Sequence, residues 1–309
     1  VEVVRRYRVV DHDACDPDML VDLGFTETGI PLSVNRIAYE SDLLVATGIV
    51  EPHQYAGYSG GAKTLSVGAA GEAMIAYTHG PRMLEQPGTR LGRIEGNPFR
   101  EALQEAARRA GLRFVVNVVQ DDSKRAVAVR AGDPIAAFGE LVQVARSLYE
   151  VPIERQYDVA VAGVGFPKDT NLYQASRAPT YLHFAPTPVV KAGGTYIVPA
   201  VCQEGAGEGA GEQRFYHALK EAASMPALVE QLRREGYPPG EQRAFIVAKA
   251  MCEANIVVVG AETPEVVRDV KMVPAATMEE AFAWVQVQQG KELDVLVVPH
   301  ALLTLPVVQ

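Results

Sequence analysis

Cysteine is scarce in this chain: 309 residues hold three, Cys15, Cys202 and Cys252, far apart and in no metal-ligand spacing. That pattern argues against a disulfide framework and suits a reducing compartment. Long hydrophobic runs are missing too. No apolar stretch reaches the roughly 18 residues a membrane-spanning helix needs, and no signal-peptide pattern opens the chain. A cytoplasmic protein with no membrane partner is therefore expected. Lys/Arg-rich runs are also absent, and the net charge is −9, which argues against nucleic acid as a partner. The chain opens on Val1 without an initiator methionine, and its first residues read like the interior of a domain. A fragment is expected.

What is present is ordinary material for an enzyme, with 48% hydrophobic and 22% charged residues. The length exceeds the usual size of a single core, so two domains are expected. Short apolar runs alternate with helical stretches. "LLVATGIV" (Leu43–Val50), Arg113–Asp121, Ala126–Asp133, "TYIVPAV" (Thr195–Val201), Ala254–Ala261 and Asp294–Ala301 read as strands. "NPFREALQEAARRAGL" reads as a helix with Asn97 as its cap, Pro98 in its first turn and Gly111 closing it. "PIAAFGELVQVARSLYEVPI" reads as one long amphipathic helix ending near Pro152. Near-continuous apolar strands alternating with helices predict an α/β fold: two α/β domains with mainly parallel sheets and an active-site cleft between them. The boundaries are 1–150 and 151–309, with the last strand packing back on the first domain. Ligands of such folds gather outside the carboxyl ends of the strands. His53 and Lys168 each follow a strand and belong on that rim.

The segment "EPHQYAGYSGGAKTLSVG" (Glu51–Gly68) is too mixed for a plain connection. Gly60 and Gly61 let the main chain approach a ligand closely. A helix starting after them would offer free N–H groups to an anion, with Lys63 adding charge. It is not a P-loop: Ala56 stands where the first glycine of GxxxxGK[ST] belongs, and Ala62 separates Gly61 from Lys63. The residues alone leave a glycine-rich turn with a surface lysine as an equal reading. Six histidines occur. His53 ends a strand directly after a proline. His79 ends a probable helix that starts near the glycine loop. It reaches the same site only if that helix breaks, since about 15 helical residues span roughly 22 Å. Gly68 and Gly71 make a break plausible. His12, His183, His217 and His300 have no comparable context.

"GFPKDTNLYQASRA" (Gly165–Ala178) leaves a strand; Asp169 or Thr170 is expected to cap a helix carrying Tyr173, Gln174 and Arg177. Gln174 and Arg177 would share one helix face and suit a small carboxylate or phosphate. A solvated polar face is the alternative. The glycine-rich "CQEGAGEGAGE" fails the dinucleotide register, with Ala210 or Glu212 where the third glycine belongs, and its glutamates would repel a pyrophosphate. An NAD-dependent dehydrogenase is the weakest reading.

Together, "EPHQYAGYSGGAK", "THG", "EGNPFREAL" and "GFPKDTNLYQASRA" resemble the nickel-dependent lactate racemase family over nearly the whole chain. The resemblance implies a racemase or epimerase of a small 2-hydroxy acid, an isomerase. Its cofactors would be nickel and pyridinium-3,5-bisthiocarboxylic acid mononucleotide, the nickel-pincer nucleotide, and proteins that synthesise it would be partners. It further implies that Lys63 holds that nucleotide, His79 ligates nickel and His53 is one of two acid/base histidines. Tyr173, Gln174 and Arg177 would line the cofactor and substrate site. The family usually has lysine at the position of Arg177. Its members also carry a long N-terminal segment, holding the second histidine, ahead of the position of Val1. The competing class is a non-catalytic protein that binds the cofactor or a carboxylate.

Overall fold

A computed structural model of the chain describes residues 5–309. Strands β1 (Leu20–Phe25) and β2 (Pro31–Asn35) form an antiparallel pair. β3 (Leu44–Ile49) leads into a small hairpin of β4 (Pro52–His53) and β5 (Gly57–Tyr58). Two short helices follow, α1 (Lys63–Ser66) and α2 (Glu72–Thr78), then the longer α3 (Pro98–Arg109). The expected break around Gly68 and Gly71 is there: Gly71 caps α2 in an extended conformation. α3 starts as expected, with the Asn97 side chain accepting from the Arg100 amide and Pro98 in the first turn. Gly111 follows it at φ +80°.

β6 (Leu112–Gln120) lies parallel to β3 and antiparallel to β7 (Ala126–Gly132). The sheets are thus mainly but not wholly parallel. α4 (Pro134–Tyr149) covers this sheet through Phe138, Leu141 and Val142. The helix expected to continue to Pro152 stops earlier, and its last residues become β8 (Glu150–Ile153). The sequence "EVPI" has β-branched residues and a proline that would break a helix.

A fully parallel five-stranded sheet follows, built from β9 (Tyr157–Ala162), β10 (Val190–Pro199), β11 (Asn255–Val259), β12 (Val273–Ala275) and β13 (Val295–Val298). Its order is β12-β11-β10-β9-β13. Burial on both faces follows from the period of two. Val257 and Val259 pack with Ala281 and Val285 of the helix Met278–Gln289. Ile256 and Val258 join the core that holds Phe245 on the opposite side. Finally β14 (Leu305–Val308) pairs in parallel with β8, and Leu305 packs against Leu91 and Ala185. No helix among the described residues is long and apolar enough to cross a membrane.

Two helices rise from the loop after β9, namely α5 (Leu172–Ala175) and α6 (Arg177–His183), and α7 (Gln242–Glu253) packs on α6. Two expectations are corrected here. The cap is Asn171, whose side chain accepts from the Gln174 amide at 3.0 Å, rather than Asp169 or Thr170. The expected single helix is also split at Ser176, which ends α5 and caps α6.

Candidate functional site

The β4–β5 hairpin is held from behind by the start of α3. The Asn97 side-chain amide donates to Tyr55 O at 2.8 Å. Arg100, 1% exposed, donates from Nε and Nη2 to Ala56 O, both at 3.1 Å. It also donates to Tyr58 O, and from Nη1 to Gly60 O at 3.2 Å. Its guanidinium lies over the Phe138 ring, 4.3 Å from the centroid. Burial without a counter-charge pulls its pKa down to about 9. Gly57 is obligatory: at φ +75° a Cβ there would stand 2.0 Å from Arg93 O.

That clamp fixes the amides around His53. The Tyr55 and Ala56 N–H groups donate to His53 Nδ1 at 3.3 and 3.2 Å, so the neutral ring carries its proton on Nε2. Burial, then the nearby charges of Lys63, His79 and Arg100, hold the ring neutral by pushing its pKa well down.

The glycine pair does not form the open N–H cradle that the sequence suggests. Gly60 and Gly61 have φ of +79° and +58°, but the Gly61 N–H is taken by Asn117 Oδ1 at 2.8 Å. The Lys63 and Thr64 amides turn back to Gly60 O and Gly61 O, each at 3.3 Å. What the loop delivers is Lys63 itself, half-buried. Its pKa is lowered by burial and then by the charge of Arg100. Glu51 faces the same group: burial raises its pKa, although Lys63, Lys168 and Arg177 pull the other way.

His79 terminates α2 and is 9% exposed. Its Nδ1 lies 3.0 Å from Ile75 O, so that nitrogen carries the proton and Nε2 keeps a free lone pair. Burial pushes its pKa down to about 4. Tyr55 stands between the two histidines, edge-on to each, with ring centroids 5.8 Å from His53 and 5.7 Å from His79. The Tyr237 hydroxyl donates to His79 O at 2.8 Å.

From the other side come Lys168, Tyr173, Gln174 and Arg177, all half-buried. Lys168 Nζ donates to Gln174 Oε1 at 3.4 Å. Arg177 Nε is buried with no partner among the described residues. The six expected site residues are thereby gathered into one region. Lys63, His79 and Arg177 act on His53, and Lys63, Lys168 and Arg177 act on Glu51. Tyr173 sits at its margin, edge-on to Phe215 and 5.5 Å from it. Sequence reasoning gave no role to Glu51, Tyr55, Arg100 or Arg243. Glu51 and Tyr55 lie inside the quoted motif, two residues either side of His53, and that adjacency was the available signal. Arg243 lies in no motif. A groove of about 1100 Å³, lined by Thr26, Met83, Arg108 and Pro134, touches none of the six.

Among the described residues no three His, Cys, Asp or Glu side chains converge as a metal site. A metal held at His79 Nε2 would therefore take its other ligands from a bound group. One imidazole, a half-buried lysine and unpaired arginine donors fit a cofactor that brings its own metal ligands and an anionic group.

The lactate racemase N-terminal domain matches residues 1–92, and the lactate racemase C-terminal domain matches residues 154–305. The chain is 30% identical over 306 residues to a lactate racemase of Lactiplantibacillus plantarum, covering 97% of this chain and 70% of that protein. It is 29% identical over 299 residues to a lactate racemase of Thermoanaerobacterium thermosaccharolyticum, covering 96% and 69%. The solved structure of the lactate racemase apoprotein from Thermoanaerobacterium thermosaccharolyticum superimposes with a TM-score of 0.91 at 27% identity, over 99% of this chain and 73% of that one. A Thermotoga maritima protein shares the fold, with a TM-score of 0.70 at 17% identity, over 96% and 77%.

Proposed function

The chain belongs to the lactate racemase family, and from that premise we propose that it interconverts the enantiomers of a small, lactate-like 2-hydroxy acid using a nickel-pincer nucleotide. One observation carries the reading. Two neutral histidines, His53 half-buried and His79 buried, flank Tyr55 in opposite tautomers: His53 offers Nε2–H, while His79 offers an Nε2 lone pair. A lone pair suits a metal ligand, and an N–H suits a group that handles the substrate proton.

His79 would hold nickel, and Lys63, half-buried and electrostatically coupled to Glu51, would hold the nucleotide. When bound, that cofactor supplies an acceptor for the hydrogen on the α-carbon. His53 donates a hydrogen bond from Nε2 to the substrate oxygen. In this tautomer His53 is the proton donor at Nε2. It acts as the base there only once the Tyr55 and Ala56 amides leave Nδ1, so that solvent can deliver a proton to Nδ1 and take the one on Nε2. Arg177, always charged, binds the carboxylate and cannot exchange a proton. Gln174, tied to Lys168, braces that side. The chain reads as two α/β units, 1–150 and 151–309, with the site between them. The two family matches support this, as does β14 returning to pair with β8. Proteins that make and load the cofactor would be its partners.

The test is composition. Active protein is expected to carry stoichiometric nickel and a nucleotide mass on the Lys63-containing peptide or released from it. Active protein with neither refutes the cofactor assignment.

A further inference from the structure

Arg243, in the first turn of α7, is 6% exposed and has only neutral partners. Its Nη1 donates to Thr180 Oγ1 at 3.0 Å and more distantly to Gln54 Oε1 at 3.5 Å. Its Nε is buried with nothing to donate to among the described residues. A buried guanidinium with an unused donor is costly, because the lost hydration is not replaced. The same holds for two neighbours. The Tyr55 hydroxyl and Arg177 Nε are also buried without partners among the described residues. All three belong to one cluster: Arg243 donates to Gln54, the neighbour of Tyr55, and to Thr180, whose hydroxyl lies 3.1 Å from Arg177 O. Tyr173 additionally lies under Arg243, with its ring centroid 5.8 Å from the guanidinium carbon. Burial pushes the Tyr55 phenol up to about 12, so it remains a donor.

We propose that Arg243, with the Tyr55 hydroxyl and Arg177, forms an anion subsite that grips the carboxylate of the substrate. The inference rests on the reading of the site as one for 2-hydroxy acids and names a residue which that reading leaves unassigned. Thr180 and Gln54 occupy one terminal nitrogen of Arg243, leaving the Nε edge of the fork, the edge that receives a planar carboxylate. The Tyr173 ring lies on one face of the guanidinium, which suits a small flat acid. A phosphate group would want donors from more directions than this wall provides. Tyr55 thereby joins the carboxylate grip to both histidines, since its ring is edge-on to each.

The experiment is calorimetric titration of the chain, with and without loaded cofactor, using lactate and inorganic phosphate as separate probes. Arg243→Met is expected to weaken lactate by on the order of tenfold or more, as for a lost charged hydrogen bond, and to leave phosphate unchanged. Arg243→Lys should restore part of the affinity. If Arg243→Met does not fold, Tyr55→Phe removes only the hydroxyl and should still weaken lactate several-fold without altering nickel content. Lactate binding indifferent to both substitutions overturns the subsite alone. Loss of phosphate with lactate retained assigns the cluster to a phosphate and overturns it too. A wild-type chain that binds no 2-hydroxy acid in either form overturns the functional reading with it.

Discussion

His53 and His79 differ in which partner the backbone gives their Nδ1: two amide donors for the first, a carbonyl for the second. The difference makes their substitutions distinguishable. His79→Ala is expected to abolish nickel retention, because no second side chain stands by to replace it among the described residues. His53→Gln should retain nickel and lose turnover by about 10²–10⁴-fold, the usual range for a general acid–base group. Equal nickel loss in both variants would reverse the assignment. The neutral histidines also make the cofactor-free chain sensitive to acid. With the folded pKa of His79 at about 4 against an ordinary 6.5, its contribution is fully present above pH 6.5. As pH falls from there toward 4, the unfolded chain takes up the proton and the folded chain does not, so that contribution is lost. Between about pH 7 and pH 5 this one residue should remove about 2 kcal/mol. Urea unfolding of wild type and His79→Gln should differ by that much in their pH response; parallel pH profiles would contradict the buried neutral ring. These roles were only half legible in the sequence. "EPHQYAG" marks His53 as unusual, but nothing in it tells which ring nitrogen the following amides meet.

At the level of elements, the decisive unit is the clamp of α3 on the hairpin. Asn97 was readable as a helix cap, because asparagine before proline at a helix start has a local mechanism. Arg100 was not readable. Its partners, Ala56, Tyr58 and Gly60, lie some forty residues earlier, and an arginine in the first turn of an amphipathic helix ordinarily points to water. Arg100→Met would take the side-chain donor from Tyr58 O and the guanidinium donors from Ala56 O and Gly60 O, which keep only the Tyr58 and Lys63 amides. It is expected to cost about 3–5 kcal/mol, as for other broken buried polar networks, by chemical denaturation of the cofactor-free chain. A loss under about 1 kcal/mol would mean that water or a shifted loop serves those carbonyls. The strands were legible because buried parallel strands are near-continuous apolar runs. The early end of α4 and the break at Ser176 were not: tertiary pairing with β14 overrides helical periodicity at the first, and at the second the Ser176 hydroxyl turns back to Tyr173 O, a contact that periodicity does not reveal.

Across the whole molecule, the site draws on residues 51–79 from one part of the chain and 168–181 and 243 from another, and the sequence motifs had already pointed to the first two of these. The third came into view only when α7 was packed against α6. Burial and charge agree at this scale: four cationic side chains, Lys63, Lys168, Arg177 and Arg243, surround a region whose nearby carboxylate, Glu51, is itself pushed toward its neutral form. Such a charge distribution favours an anionic ligand. The most direct test is to incubate the nickel- and nucleotide-loaded protein, together with any segment that precedes Val1 in its natural chain, with one pure enantiomer of lactate and follow its enantiomeric composition by chiral chromatography. The account predicts progress to an equal mixture from either enantiomer, slowed by orders of magnitude in His53→Gln with nickel still bound. A loaded chain that leaves each enantiomer unchanged would contradict it.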